Sequence, residues 1–353
     1  HILTQARIFW EYAHRIVLPI NLCTDHLIAA TVDGGDKIAV LSAFGILLVL
    51  AASIGSLFTK RKFGAILICL GLFPIMARFV YPGAEYMVEY RLYPAMPWIS
   101  AFLALGLLHV ADRWRSLVLP RFLPHAAVLT LIALSIDRAK DWESPFSIGE
   151  NILQQYPNHI RIQSYIQWNE LDSGRPEKAI ARQDDISKSL SEIVRYNAQV
   201  RRHHRRYNVG KMLGAYMASE QLTANAMTSQ GRPKEAHKRV SEVIAKFKKM
   251  RGGDDDSRGF GVLYRARGLA SMAMGKFDDS RADLNRSLQI HPRDVTTQNL
   301  LRRLDREEAK AKARGAEHKQ RLIKRRQQEQ LKQNQKNQPG GQPQPPVEPP
   351  QGS

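Results

Sequence analysis

The sequence predicts an all-α protein: a polytopic helical membrane domain, then a domain of helical hairpins, then a disordered tail. Three observations carry that reading. Residues 38–58, IAVLSAFGILLVLAASIGSLF, hold no charge across 21 positions. Gly-basic-x-x-x-small recurs at Gly174, Gly231 and Gly275, each time after a helical stretch. From residue 336 the chain turns to Pro, Gln and Gly. Averages over the 353 residues hide this division: the net charge of +19 suggests a nucleic-acid binder and the mean hydropathy of −0.34 a soluble protein.

Along the chain, the opening His1-Ile2-Leu3-Thr4-Gln5 has no initiator Met and no signal peptide, as expected of a piece of a longer chain. Residues 1–37 are read as an extracytoplasmic, interfacial segment. Within it Ile8, Tyr12, Ile16 and Ile20 recur at steps of four. That spacing predicts an amphipathic helix ending near Pro19 and lying in the outer interface. Asp25 and His26 are expected to be a solvated interfacial pair, with a part in binding a lipid-phosphate carrier as the weaker alternative.

The membrane domain is read over 38–136, with spans at 38–58, 63–80, 95–111 and 117–136. As a helix the first span is about 32 Å long, enough for a hydrocarbon core of about 30 Å. Basic residues in short loops set orientation. Thr59-Lys60-Arg61-Lys62 and Asp112-Arg113-Trp114-Arg115 are therefore expected in the cytoplasm, and everything after Ile136 outside it. Trp98, Tyr81, Tyr86, Tyr90 and Tyr93 form an aromatic belt at the outer interface. The expected location is integral and multi-pass, in a bacterial inner membrane or its equivalent.

Between spans two and three, Glu85, Glu89, Arg91 and Tyr93 sit among aromatics. One reading is an interfacial ion pair. The other is a lining for a phosphate- or sugar-bearing lipid head group, because an arginine fork suits phosphate oxygens, carboxylates suit hydroxyls and tyrosines stack on sugars.

The repeat domain is read over 137–300. In the last copy Tyr264, Gly268, Ser280, Leu284, Ser287 and Pro292 follow the large-small-small-large-small-Pro grid of a tetratricopeptide unit. Turn and packing positions are Gly174 with Ala179, Gly231 with Ala236, and Gly275 with Ser280. Glycine supplies the turn, and the small residue lets two helices approach. The turn glycines are 57 and 44 residues apart, so insertions or extended helices must lie between them. Stacked hairpins leave a groove for an extended peptide or partner helix.

Arg201 to Arg206 is dense enough to bind phosphate or anionic lipid but reads first as a solvated helix face, and Gly252–Asp256 reads as a linker. A metal site at His203-His204 is disfavoured by four neighbouring arginines. Residues 301–335 predict an exposed charged helix, and 336–353 a disordered tail. Cys23 and Cys69 are not expected to pair.

The stretch Glu89-Tyr90-Arg91-Leu92-Tyr93-Pro94 resembles the Glu-His-Arg-Leu-Tyr-Leu-Pro stretch of transmembrane-and-tetratricopeptide proteins. These are similar to protein O-mannosyltransferases of the C-type glycosyltransferase superfamily. Thr4-Gln5-Ala6-Arg7, Leu18-Pro19-Ile20-Asn21-Leu22 and Asp25-His26 resemble that family's outer segment before its last spans, and Asp141-Trp142 the start of its repeat domain. The likeness covers residues 4–180, with Tyr90 in place of His and Pro94 directly after Tyr93. It implies a glycosyltransferase parent that takes sugar from a polyprenyl-phosphate carrier to a protein or other hydroxyl acceptor. Glu89, Arg91 and Tyr93 would then form a wall of the carrier site. The family's catalytic acidic residue lies in an upstream loop that this chain lacks, so no catalytic residue is assigned. No cofactor or metal is assigned within the chain. The expected partners are membrane lipids and a protein held in the repeat groove, with a membrane-anchored, non-enzymatic scaffold as the alternative. Residues 1–136 carry net +4 and residues 137–353 net +15. The second excess is expected to face an anionic membrane or acidic partner rather than nucleic acid.

Overall fold

Helices dominate the structure, a computed structural model that describes residues 1–17, 22–58, 87, 96–113, 118–251 and 258–336. Helix α1 (Ile2–Val17) clusters Ala6, Ile8, Phe9 and Tyr12 with Ala43, Ile46 and Leu50 of helix α2 (Lys37–Leu57). The Trp10 indole donates to the Ser42 carbonyl at 2.9 Å. The stripe through Ile8 and Tyr12 is thus covered by α2 and not left for lipid.

Helix α2 has no interior proline and starts on an Asp36 cap. It is the one helix among the described residues long and apolar enough to cross a membrane, over Lys37–Ser56. Only 17% of that stretch is buried, with Leu41, Phe44 and Leu47 among the exposed side chains. Helices α3 (Met96–Arg113) and α4 (Val118–Lys140) pack on each other and also expose apolar residues, including Leu108, Leu129 and Ile136. They form near the predicted 95–111 and 117–136, but each carries polar interruptions. The predicted span 63–80 lies outside the described residues.

Helix α5 (Pro145–Gln155) begins on a reciprocal Ser144–Ser147 capping box, both bonds 3.0 Å, with Pro145 opening its first turn. Three helical hairpins follow. Helix α6 (Ile160–Asp172) pairs with α7 (Pro176–Ala198), α9 (Val209–Ser229) with α10 (Pro233–Arg251), and α11 (Arg258–Ala273) with α12 (Phe277–Ile290). Gly174, Gly231 and Gly275 turn the three hairpins at φ of 70°, 77° and 74°. After each, the next amide reaches back to a carbonyl five residues earlier, as in Arg175 N–H to Glu170 at 2.8 Å. Ala179, Ala236 and Ser280, each five residues past its glycine, are fully buried.

The uneven glycine spacing has a visible cause in the first interval. After α7, a short turn α8 (Val200–His203) and a strand β2 (Arg205–Arg206) precede α9. Strand β2 pairs antiparallel with β1 (Ala30–Thr31), joining the two halves of the chain.

Polar side chains tie the hairpins internally. Arg182 forks onto Glu170 at 3.0 and 2.7 Å, Arg239 onto Glu220 at 2.7 and 3.3 Å, and Arg267 onto Asp283 at 2.8 and 2.6 Å. Arg182, Arg239 and Asp283 each occupy the eighth position after a turn glycine. Between the first two hairpins, buried Gln167, Gln183, Ser219 and Thr223 form a bonded cluster. In the third, the Ser280 hydroxyl donates to the Gly268 carbonyl at 2.8 Å, and a methyl on Gly268 would stand 3.0 Å from Leu284.

Tyr264 and Leu284 are buried there, and Pro292 begins the turn into α13 (Val295–Lys336). Helix α13 packs Leu300, Leu301 and Leu304 with Met272, Phe277 and Leu284. It starts six residues before the predicted charged helix, because this apolar turn caps the third hairpin. From Ala309 to Gln333 every residue is exposed. The predicted tail lies outside the described residues from 337 onward.

The turn geometry makes a two-sided prediction. Gly231→Ala forces an L side chain into left-handed backbone and should lower stability by about 1 kcal/mol. Gly214→Ala, in open space on α9, should raise it by up to about 1 kcal/mol. Thermal unfolding of the two variants checks both signs.

Candidate functional site

The residues between α1 and α2 hold the densest polar chemistry among the described residues. Asp36 begins as a helix cap: its carboxylate accepts from Ala39 N–H at 3.2 Å. The same carboxylate accepts from Thr31 Oγ1 at 3.1 Å and from Arg205 Nε and Nη2 at 2.8 and 3.2 Å. Arg7 lies 3.7 Å away and donates to the Ala29 carbonyl and Thr31 Oγ1 at 3.1 and 3.0 Å. Thr31 N–H completes the knot by donating to Thr4 Oγ1 at 2.9 Å. The Asp36 side chain is only 3% exposed. Hydrogen bonds from Arg205, more than offsetting burial, bring its carboxyl down to about 2. Burial lowers the Arg7 guanidinium, and neighbouring Arg205 pushes it the same way.

One residue stretch earlier, Cys23, Asp25 and His26 dock on the hairpin domain. Cys23 shares a buried cluster with Ile152, Ile162 and Ile166. His26 Nδ1 lies 3.0 Å from Tyr156 Oη and 3.3 Å from Cys23 Sγ. Burial pushes the Tyr156 hydroxyl up to about 12, aided by Cys23. Asp25 pairs with His159 Nε2 at 3.2 Å and with Arg161. Burial works to raise the Asp25 carboxyl, but the hydrogen bonds from His159 and Arg161 prevail and hold it below the usual range. A cleft of ≈ 130 Å³ opens beside these groups, lined also by Lys211 and Asn208.

The 22–36 segment also meets the last apolar helix. Arg138, near the end of α4, donates to the Leu22 carbonyl at 2.8 Å and pairs with Asp141 at 2.7 Å.

No family model, curated protein or solved structure matches the chain. The candidates Glu89, Arg91 and Tyr93 lie outside the described residues, as do Cys69 and the Gly252–Asp256 linker. Gly174, Ala179, Gly231, Ala236, Tyr264, Gly268, Gly275, Ser280, Leu284 and Pro292 all fall in hairpin turns or packing, and none lines the cleft.

Two expectations are corrected. Asp25 and His26 are not a solvated pair: both are buried, because the hairpin domain supplies Arg161, His159 and Tyr156 to pair with them. Arg201–Arg206 is not a helix face throughout. The helix stops at His203, His204 turns at φ 54°, and Arg205 is drawn onto buried Asp36. No group of three metal-ligating side chains occurs among the described residues.

Sequence reasoning passed over Asp36, His159 and Lys211, and misplaced Arg205. Asp36 left a signal, since Asp-Lys-Ile-Ala before an apolar run is a cap pattern. His159 and Arg205 left none, for their partners are distant in sequence.

The Asp36 carboxyl titrates lower when folded than its ordinary 3.8. Its contribution is thus complete above about pH 5 and lost as pH falls through 2, amounting to about 2 kcal/mol. The stability gap between wild type and Asp36→Asn should shrink by that amount between pH 5 and pH 2, as chemical denaturation at each pH would record.

Proposed function

We propose that this chain is a polytopic membrane protein whose tetratricopeptide-like domain stands on the outer face and recruits a protein partner. One observation carries the proposal. The start of α2 and the end of α4 are moored to the same 22–36 segment, through the Asp36 cap on Ala39 and through Arg138–Leu22, and Asp36–Arg205 ties that segment to β2. Two apolar helices whose start and end meet at one place, and whose exposed faces are apolar, suit an even number of crossings between them. Segment 22–36 then seats the hairpin domain at that membrane face, which suits display of a partner site in a set orientation.

The recruiting surface in this reading is the groove where α9 and α11 face α13, ≈ 540 Å³ in volume. Leu269, Met272 and Phe277 supply its apolar floor, and Arg303, Arg314 and the Lys310–Glu307 pair its charged rim, net basic. Such a groove favours an acidic segment with an apolar anchor. Transfer of sugar from a polyprenyl-phosphate carrier is the further role implied by the resemblance around Glu89, Arg91 and Tyr93. It is supported by sequence likeness, whereas the recruiting role is also supported by the mooring geometry.

Reporter fusions test the arrangement. A periplasmic-active phosphatase joined after Ser353 should be active, and one joined after Lys62 inactive. A cytoplasmic C-terminus would overturn the proposal and return the +15 half to consideration as a nucleic-acid binder.

A further inference from the structure

Beyond the hairpin domain the long helix α13 stands exposed. Its first turns pack through Leu300, Leu301 and Leu304, but over residues 309–333 every side chain is open to solvent, a length of about 37 Å. This stretch holds nine Lys and Arg against two Glu. Lys310 and Lys312 reach back to Glu307 and Glu308 at 3.1 and 2.6 Å. No later residue of the helix has an ion-pair partner among the described residues. A lone helix this polar, with so few internal pairs, draws little stability from its own contacts.

The charge is not spread evenly round the helix. Ala313, Ala316, Gln320, Ile323 and Gln327 follow one another at steps of three and four, an uncharged stripe along one side. That is the heptad spacing along which two helices meet. Ile323 is its apolar anchor, 48% exposed, and Leu331 lies on its edge, 61% exposed. Lys319 and Arg326 run along one flank and Lys324 along the other, the positions from which paired helices exchange charge across a seam. Gln320 and Gln327 keep the seam from closing on apolar contact alone, so the flanking charge selects the partner. A second copy is a poor one: antiparallel, it sets Lys319 and Arg326 against their own kind, and parallel, it sets Lys319 against Lys324.

We propose that residues 313–331 of α13 dock an acidic amphipathic helix of a partner protein, laid along the stripe with its carboxylates against Lys319, Lys324 and Arg326. The surface is distinct from the groove above, into whose lining Arg303 and Arg314 project from another side of α13. The inference needs neither that groove nor the membrane orientation.

The test uses the full chain in uncharged detergent and a synthetic four-heptad peptide with apolar residues at its seam and Glu on both flanks. Calorimetry should record saturable binding that weakens as salt rises. The same peptide with Lys flanks should not bind, and unstructured poly-glutamate of equal charge should bind at least tenfold more weakly. Ile323→Lys should weaken binding about tenfold although it adds positive charge, because it removes the apolar anchor. Leu322→Lys makes the same charge change one residue off the stripe and should bind as tightly as wild type, as should Arg303→Ala in the groove. Attraction by charge alone predicts the opposite for Ile323→Lys, so unchanged or tighter binding by that variant overturns the inference. It is overturned equally by loss of binding in Arg303→Ala, by poly-glutamate or duplex DNA binding as tightly as the peptide, and by sedimentation showing that the chain alone dimerises through α13.

Discussion

The buried carboxylate of Asp36 is the point on which the two halves of the chain depend. A carboxylate this deep is costly unless its oxygens are met by donors. Here an amide, a hydroxyl and a guanidinium fork meet them, each from a different part of the chain. The cap fixes where α2 begins, the Thr31 hydroxyl holds β1, and Arg205 brings β2 across to pair with it. Loss of one partner would leave buried charge without compensation, a larger penalty than the pair's own net contribution. Four elements therefore meet at this one carboxylate: α1 through Arg7 and Thr4, β1, β2, and the first turn of α2.

The same physics recurs inside the hairpin domain. Each hairpin carries one Arg–carboxylate fork between its two helices, and one member always stands eight residues beyond the turn glycine. The third hairpin reverses the polarity, with arginine on the first helix and Asp283 on the second. A bidentate fork fixes rotation and separation together, which apolar packing of Ala, Ser and Leu alone leaves looser. Hairpins of unequal length thus keep one turn geometry.

Much of the fold was legible because its signals are local. A glycine followed by a small residue five positions on announces a left-handed turn and close helix approach, and the structure places all three glycines at positive φ. An uncharged run of 21 residues announces its own helix. The exposed charged helix was visible in composition, although its first six residues, Val295 to Leu300, were assigned to the preceding domain. The misreadings share one cause. Asp25, His26 and Arg205 look like solvated polar residues within any window of twenty positions. Their partners lie 130 or more residues away, Arg161 and Tyr156 for the first two and Asp36 for the third. Periodicity cannot report such pairs, and burial of a charge is decided by what arrives from elsewhere in the chain.

The central claim, that Asp36 and Arg205 lock the N-terminal apolar helices to the hairpin domain, is tested most directly by a double-mutant cycle. Unfolding free energies of the wild-type chain, Asp36→Asn, Arg205→Gln and the double variant give the coupling between the two side chains. A desolvated, charge-assisted fork predicts a coupling of about 1.5–3 kcal/mol. Effects that add to within about 0.5 kcal/mol would contradict the account.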